Sequence, residues 1–148
     1  MAVAAQGLAK AAQILAQRFT LVTTNVPYLG RGKQDEILRD YCDSTYPSAK
    51  ADFATCLLKR CVSFCDAGGT AATVTPQSWL FMATYKAFRR LMLEAAQWDL
   101  VARLGPRAFE AISGEVVNVI LAIISEAKTS PDHGFAALDA TTRERQRE

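Results

Sequence analysis

The run Leu21-Val22-Thr23-Thr24 leads directly into Asn25-Val26-Pro27-Tyr28, placing a side-chain amide, a rigid imide and a phenol within four positions. If the apolar, β-branched run is a strand, these groups fall beyond its carboxyl end, where open α/β sheets bind ligands. The same residues would also serve a turn that Asn25 starts, Pro27 stiffens and Tyr28 covers against an apolar edge. Arg31 and Lys33 follow on a loop containing Gly30 and Gly32. They are either loop charges in water or counter-charges for an anionic ligand. Trp79 and Phe81, just after Thr75-Pro76, are further aromatics for lining a pocket, with core packing as the other role open to them.

Four cysteines, Cys42, Cys56, Cys61 and Cys65, raise the possibility of metal binding. Cys61 and Cys65 share one face of a helix, and Cys42 or His133 would be needed to complete a set. The spacing lacks a Cys-x-x-Cys pair, and Leu57, Leu58 and Val62 lie between the cysteines, which favours small buried side chains over ligands. No metal site and no disulfide are expected.

These candidates depend on the elements around them. Leu8, Ala11, Ala12 and Leu15 recur at helical spacing, so residues 3–17 read as an amphipathic helix. Phe19 to Thr24 reads as a strand covered on both faces, as in a parallel sheet. Residues 34–43 read as a helix with Ile37, Leu38 and Tyr41 on one face, and Pro47 separates it from the next. Ser48 is the expected N-cap of a helix from Ala49 to Phe64. Asp66-Ala67-Gly68-Gly69 ends that helix, and Thr70 to Thr75 forms a second buried strand. Tyr85, Phe88, Leu91 and Met92 mark another helix face, with Arg89 and Arg90 mostly off it. Trp98 to Leu104 and Val116 to Ile124 supply two more strands. Helices between successive strands imply an α/β domain with a mostly parallel sheet. Only a short turn around residues 108–111 joins the last two strands, so the final strand is expected to run antiparallel.

Length and composition suit one globular domain: 148 residues, half of them hydrophobic. A formal charge of +2 is too small to imply nucleic acid by itself, so any such partner must rest on particular residues. The longest apolar run, Val116 to Ile124, is too short to span a bilayer, and no basic-then-apolar leader opens the chain. A cytoplasmic protein without a membrane partner is expected.

Asn25-Val26-Pro27-Tyr28 resembles the Asn-Pro-Pro-Tyr signature of S-adenosylmethionine-dependent amino-methyltransferases. The segments that follow it, "ADFATCLLKRC", "DAGG", "TAATV" and "TPQSWLF", resemble the order of that family, as does the closing block "LGPRAFEAISGEVVNVILAII". The likeness is to adenine-specific DNA methyltransferases of restriction-modification and BREX phage-defence systems. It covers residues 19–127, and its specificity lies in the ordered set. Residues 1–18 are then an N-terminal helix and 128–148 a polar tail, frayed or solvated, in which Arg and Glu alternate after Thr141.

The resemblance implies that the Asn25 side-chain oxygen and the Val26 carbonyl accept hydrogen bonds from an adenine amino group aimed at the cofactor methyl. Such preorganised acceptors stabilise charge developing on the nitrogen. Pro27 would fix the loop, and Tyr28 would stack on a base drawn out of the duplex. Arg31 and Lys33 would neutralise DNA phosphates, Trp79 would border the base, and Asn25 would also meet S-adenosylmethionine. Val26 departs from the commoner Pro, as Leu or Ile does in ribosomal RNA adenine dimethyltransferases, but a backbone carbonyl serves equally well from Val.

The family's Gly-rich cofactor loop has no counterpart before residue 19, where Gly7 stands alone. The chain therefore reads as the C-terminal, substrate-binding half of a Rossmann-like class I methyltransferase fold, beginning near its fourth strand. Three functions stay open: a DNA adenine methyltransferase that needs a complementary polypeptide or defence-system subunits, a non-catalytic DNA- or protein-binding module, or a methyltransferase for RNA or protein glutamine. Exposed sheet edges make self-association in isolation an expectation.

Overall fold

The computed structural model describes residues 2–105 and 117–141. In chain order its elements are α1 (Ala2–Ala16), β1 (Phe19–Asn25), α2 (Glu36–Thr45), α3 (Phe53–Ser63), β2 (Cys65–Pro76), α4 (Ser78–Phe81), α5 (Lys86–Ala95), β3 (Gln97–Gly105), β4 (Val119–Ser125) and β5 (Ala136–Asp139). Short 3-10 turns at Arg31–Lys33 and Ala83–Tyr85 precede α2 and α5.

The sheet runs β1-β2-β4-β3-β5. β1 is parallel to β2, β4 is antiparallel to both neighbours, and β3 is parallel to β5. Four strands thus share a direction and β4 opposes them. This is the α/β, mostly parallel arrangement expected, and the opposing strand is the one anticipated in the Val116–Ile124 run. The connection at residues 106–116, with its expected turn, lies outside the described residues, as do residues 142–148.

One face of the sheet carries the core. Ala71 and Ile124, Thr73 and Ala122, and Thr75 and Ile120 are cross-strand partners, and all six are buried. Trp98 and Val101 continue that face on β3, under Leu58, Cys61 and Val62 of α3 and Phe88 and Met92 of α5. The opposite face, with Ala72, Val74, Leu121 and Ile123, is only half-buried. β1 is likewise open: Leu21 is 59% exposed, which corrects the expectation of a strand covered on both faces. Its β-branched run is legible locally, whereas its cover depends on what packs from elsewhere. α1 forms where expected, but Leu8, Ile14 and Leu15 stay exposed. It is tied down through the Leu15 carbonyl, which accepts from Arg60 Nη2 at 3.4 Å.

Capping sets two helix boundaries. The Asp35 side chain accepts from the Leu38 N–H at 2.8 Å and opens α2. Asp52 does the same for α3, accepting from the Ala54 N–H at 2.8 Å. Ser48 is therefore not the cap: residues 47–51 form turns, and the Ser48 hydroxyl is buried without a partner among the described residues. Serine and aspartate are nearly equal as caps, so local propensity did not separate them. β2 starts earlier than its apolar run, at Cys65. Gly68 adopts φ +79°, and a Cβ on Gly69 would sit 2.8 Å from the Phe19 carbonyl oxygen. The Asp66–Gly69 stretch thus continues the strand through a bulge beside β1.

β5 lies in the segment read as a polar tail. All four of its residues are exposed and no alternation marks it. It is held from β3: Arg103 pairs with Asp139 at 2.9 Å, His133 Nε2 bonds the Trp98 carbonyl at 2.6 Å, and Phe135 packs on Trp98. Across β2, β4 and β3, Thr70, Ser125 and Asp99 form a hydroxyl chain, Ser125 donating to Asp99 Oδ2 at 2.6 Å. Among the described residues no helix is long and apolar enough to cross a membrane.

All four cysteines are buried thiols. Burial pushes Cys56 up to about 12, reinforced by its hydrogen bond with Cys42, and burial also raises Cys61 and Cys65. Since the thiolate is the nucleophile, the folded chain should react with Ellman's reagent far more slowly than free cysteine. All four thiols should titrate once denaturant is added, and rapid reaction of a native thiol would refute this packing. No group of three or more His, Cys, Asp or Glu gathers to hold a metal among the described residues.

Candidate functional site

Asn25 ends β1 opposite Val74, and the Val26 N–H adds one more bond to β2, donating to the Val74 carbonyl at 3.3 Å. With its side chain 3% exposed, Val26 pins the point where the chain leaves the sheet. Asn25 and Pro27 are exposed there, while Tyr28 turns back so that its hydroxyl donates to Asn25 Oδ1 at 3.2 Å. The four residues therefore form a unit at the carboxyl end of β1. Burial raises the Tyr28 phenol above its ordinary value, so at neutral pH it is a neutral donor.

The loop after Tyr28 is fastened to the start of α3. The Phe53 N–H donates to the Leu29 carbonyl at 2.9 Å, the Arg31 N–H donates to the Ala51 carbonyl at 3.1 Å, and Gly30 bridges to Asp52. A cavity of about 420 Å³ opens here, lined by Tyr28, Gly30, Arg31, Gly32, Lys33, Asp52, Pro76 and Val117. Its size lies within the range of small-molecule sites. It brings together Tyr28, Arg31 and Lys33 from the sequence candidates. Asn25 joins through its bond to Tyr28, and the Val26 carbonyl has no hydrogen-bond partner among the described residues.

Arg31 is committed more than its loop position suggests. Its guanidinium forms a two-pronged ion pair with Asp43 of α2, with Nη2 to Oδ2 at 2.6 Å, and Lys50 stands 3.6 Å from Asp43 Oδ1. The Arg31 hydrogen bond holds the Asp43 carboxyl below the usual carboxylate range against the opposing effect of desolvation, and Lys50 adds to the lowering. A phosphate drawn to Arg31 would share it with Asp43.

Trp79 does not border the cavity. It is 1% exposed, its Nε1–H donates to Thr75 Oγ1 at 2.9 Å, and its ring meets Phe88 and Trp98 edge-on, each with centroids 5.6 Å apart. The Trp79 pocket role is corrected to a core role: α4 starts so close to the end of β2 that its first turn points into the apolar layer. Phe81, at the other end of α4, is exposed. A larger cavity, about 620 Å³, opens at the amino end of β2, where Arg18, Asp66, Glu126 and Lys128 mix both charges. The strand-end chemistry lies at the opposite end of the sheet, so volume is the weaker guide.

Three residues that position the site carry little sequence signal. Asp43 is twelve residues from Arg31, beyond any local pattern. Asp52 could have been found as an Asp preceding an apolar helical run. Gln34 is a polar residue that no apolar spacing marks for burial, yet it is buried.

The fold has known counterparts. A protein from Listeria monocytogenes described as a class I S-adenosylmethionine-dependent methyltransferase superposes with a TM-score of 0.66 at 8% identity, covering 86% of this chain and 38% of that one. DrdV, solved in complex with DNA, superposes with a TM-score of 0.64 at 14% identity, over 90% of this chain and 16% of DrdV. The fold is that of the class I methyltransferases. More specifically, the chain belongs to the Eco57I restriction-modification methylase family, whose model matches residues 5–109 and so includes Asn25 to Tyr28, Arg31, Lys33 and Trp79. It is 31% identical over 125 residues to the adenine-specific methyltransferase PglX of Lacticaseibacillus casei (strain Zhang), covering 83% of this chain and 10% of PglX. It is 35% identical over 113 residues to the adenine-specific methyltransferase BrxX of Escherichia coli O9:H4 (strain HS), covering 76% of this chain and 9% of BrxX. The chain thus spans about a tenth of the length of these relatives.

Proposed function

We propose that this chain forms the base-binding side of an adenine-specific DNA methyltransferase that uses S-adenosylmethionine. Residues 19–127 would be the catalytic part, flanked by the helix at 1–18 and the segment at 128–148. The observation that carries this reading is the Asn25–Tyr28 unit: at the carboxyl end of β1 the Tyr28 hydroxyl bonds the Asn25 amide oxygen, and Tyr28 lines a cavity.

A target adenine drawn from the duplex would lie against Tyr28. Its amino hydrogens would be accepted by Asn25 Oδ1 and the Val26 carbonyl. An amide oxygen has two lone pairs, so Asn25 can accept from the base while keeping the Tyr28 hydroxyl. The two acceptors would hold the amino group out of the ring plane and stabilise positive charge developing on its nitrogen. For the cofactor, the exposed Asn25 amide is the fitting contact on this chain, since its nitrogen has no partner among the described residues. When bound, S-adenosylmethionine supplies an electrophilic sulfonium methyl. Lys33 and Arg31 at the cavity rim would meet DNA phosphates, Arg31 in competition with Asp43. The remaining cofactor contacts and the second cover of the sheet would come from further residues of the methyltransferase, on the same polypeptide, a complementary one or a defence-system subunit.

Transfer of tritium from labelled S-adenosylmethionine to adenine-containing DNA tests this reading. Tyr28→Ala should weaken DNA binding by about 1–3 kcal/mol, or roughly 5- to 150-fold, whereas Tyr28→Phe should keep most of the stacking. Equal loss in both variants, or none in either, would sink the stacking role.

A further inference from the structure

Gln34 is the only buried residue between Arg31 and Asp40, at 3% exposure. Its Nε2 donates to the Leu29 carbonyl at 3.1 Å, the same carbonyl that accepts from the Phe53 N–H. Its own N–H donates to the Arg31 carbonyl at 3.2 Å, and its carbonyl accepts from Arg39 Nη2 at 3.0 Å. The side chain therefore closes the loop from Leu29 to Gln34 from inside, beneath the 3-10 turn that lines the cavity. Its Oε1 is buried without a partner among the described residues. A half-satisfied buried amide is costly, and an apolar side chain would fill the space without that cost. The bond to Leu29 is what the amide adds beyond packing, and Leu29 directly follows Tyr28.

We propose that Gln34 is a positioning residue for base recognition: by tethering the Leu29 carbonyl it holds the Tyr28 ring against the cavity. This rests on the base-binding reading above. Two variants separate positioning from packing. Gln34→Met keeps the length and removes the donor. Gln34→Glu can donate to the Leu29 carbonyl only while its carboxyl is protonated, a form that burial favours and the neighbouring Arg39 guanidinium opposes.

The full chain would be examined in two ways, by amide-exchange protection at Arg31–Gln34 without nucleic acid, and by quenching of 2-aminopurine in an adenine-rich single-stranded oligonucleotide. Gln34→Met should lower protection there at least tenfold and reduce quenching to the level of Tyr28→Ala. Gln34→Glu should recover both at acid pH and lose them as pH rises through the carboxyl's pKa, a profile the wild type lacks. Wild-type protection and quenching in Gln34→Met, or a flat pH profile in Gln34→Glu, overturns the proposal. Wild-type chain that leaves 2-aminopurine unquenched overturns the base-binding reading and the Tyr28 role together. Quenching that survives Gln34→Met overturns the positioning role alone.

Discussion

In the complete methyltransferase proposed above, replacing Asn25 by alanine is expected to lower methyl transfer to adenine in DNA by roughly 10²–10³-fold, the usual cost of removing one preorganised partner of a developing charge. The fold should not change, because Asn25 is exposed and, among the described residues, its side chain hydrogen-bonds the Tyr28 hydroxyl alone. That hydroxyl can turn to water. The loss should fall on kcat more than on DNA affinity, since the amide oxygen matters most as charge builds on the nitrogen. Calorimetric titration with S-adenosylmethionine gives a second readout. Saturable binding by the wild type that weakens in Asn25→Ala would support the cofactor contact, and unchanged binding would confine Asn25 to the base. Near-wild-type turnover in Asn25→Ala would remove the acceptor role altogether.

Trp79→Ala should destabilise the fold by about 3–5 kcal/mol, the range for truncating a buried large aromatic. The indole sits between Phe88 and Trp98, and its removal also leaves Thr75 Oγ1 without its donor in a fully buried position. A shift in the urea midpoint with the slope unchanged would report the loss as stability. Trp79→Phe should be milder, keeping the edge-on packing and losing only the hydrogen bond. Because the ring lies in the core, Trp79→Phe should leave nucleotide binding as it is in the wild type. A binding defect in a stable Trp79→Phe variant would return Trp79 to the cavity.

The contrast between Asn25 and Trp79 shows what could be read in advance. Asn25 closes β1 and Trp79 lies just past β2, and both were candidates for the same site. Asn25 directly follows the β-branched run, so its place at the carboxyl end of β1 follows from the residues before it. Trp79 is the second residue of α4, and which side of so short a helix meets the core is set by packing from elsewhere. Phe81 faces solvent and Trp79 does not, although both read alike as aromatics after Thr75-Pro76. Arg31 shows the same limit from another side: its charge was evident, but its partner Asp43 comes from α2.

Local sequence was enough for the alternation of helices and strands, the strand from Phe19 to Thr24 that the structure extends to Asn25, the opposing strand in the Val116–Ile124 run and the family to which the ordered motifs belong. These features rest on near neighbours: β-branched runs, apolar spacing and capping side chains act within a few residues. Only the tertiary structure decided that β1 is an open edge, that Asp52 rather than Ser48 starts α3, that β5 adds to β3, and that Gln34 is buried under the Tyr28 loop. Each depends on backbone groups or side chains brought together by the fold, and a hydrogen bond such as Gln34 to Leu29 has no pattern until the loop between them is closed.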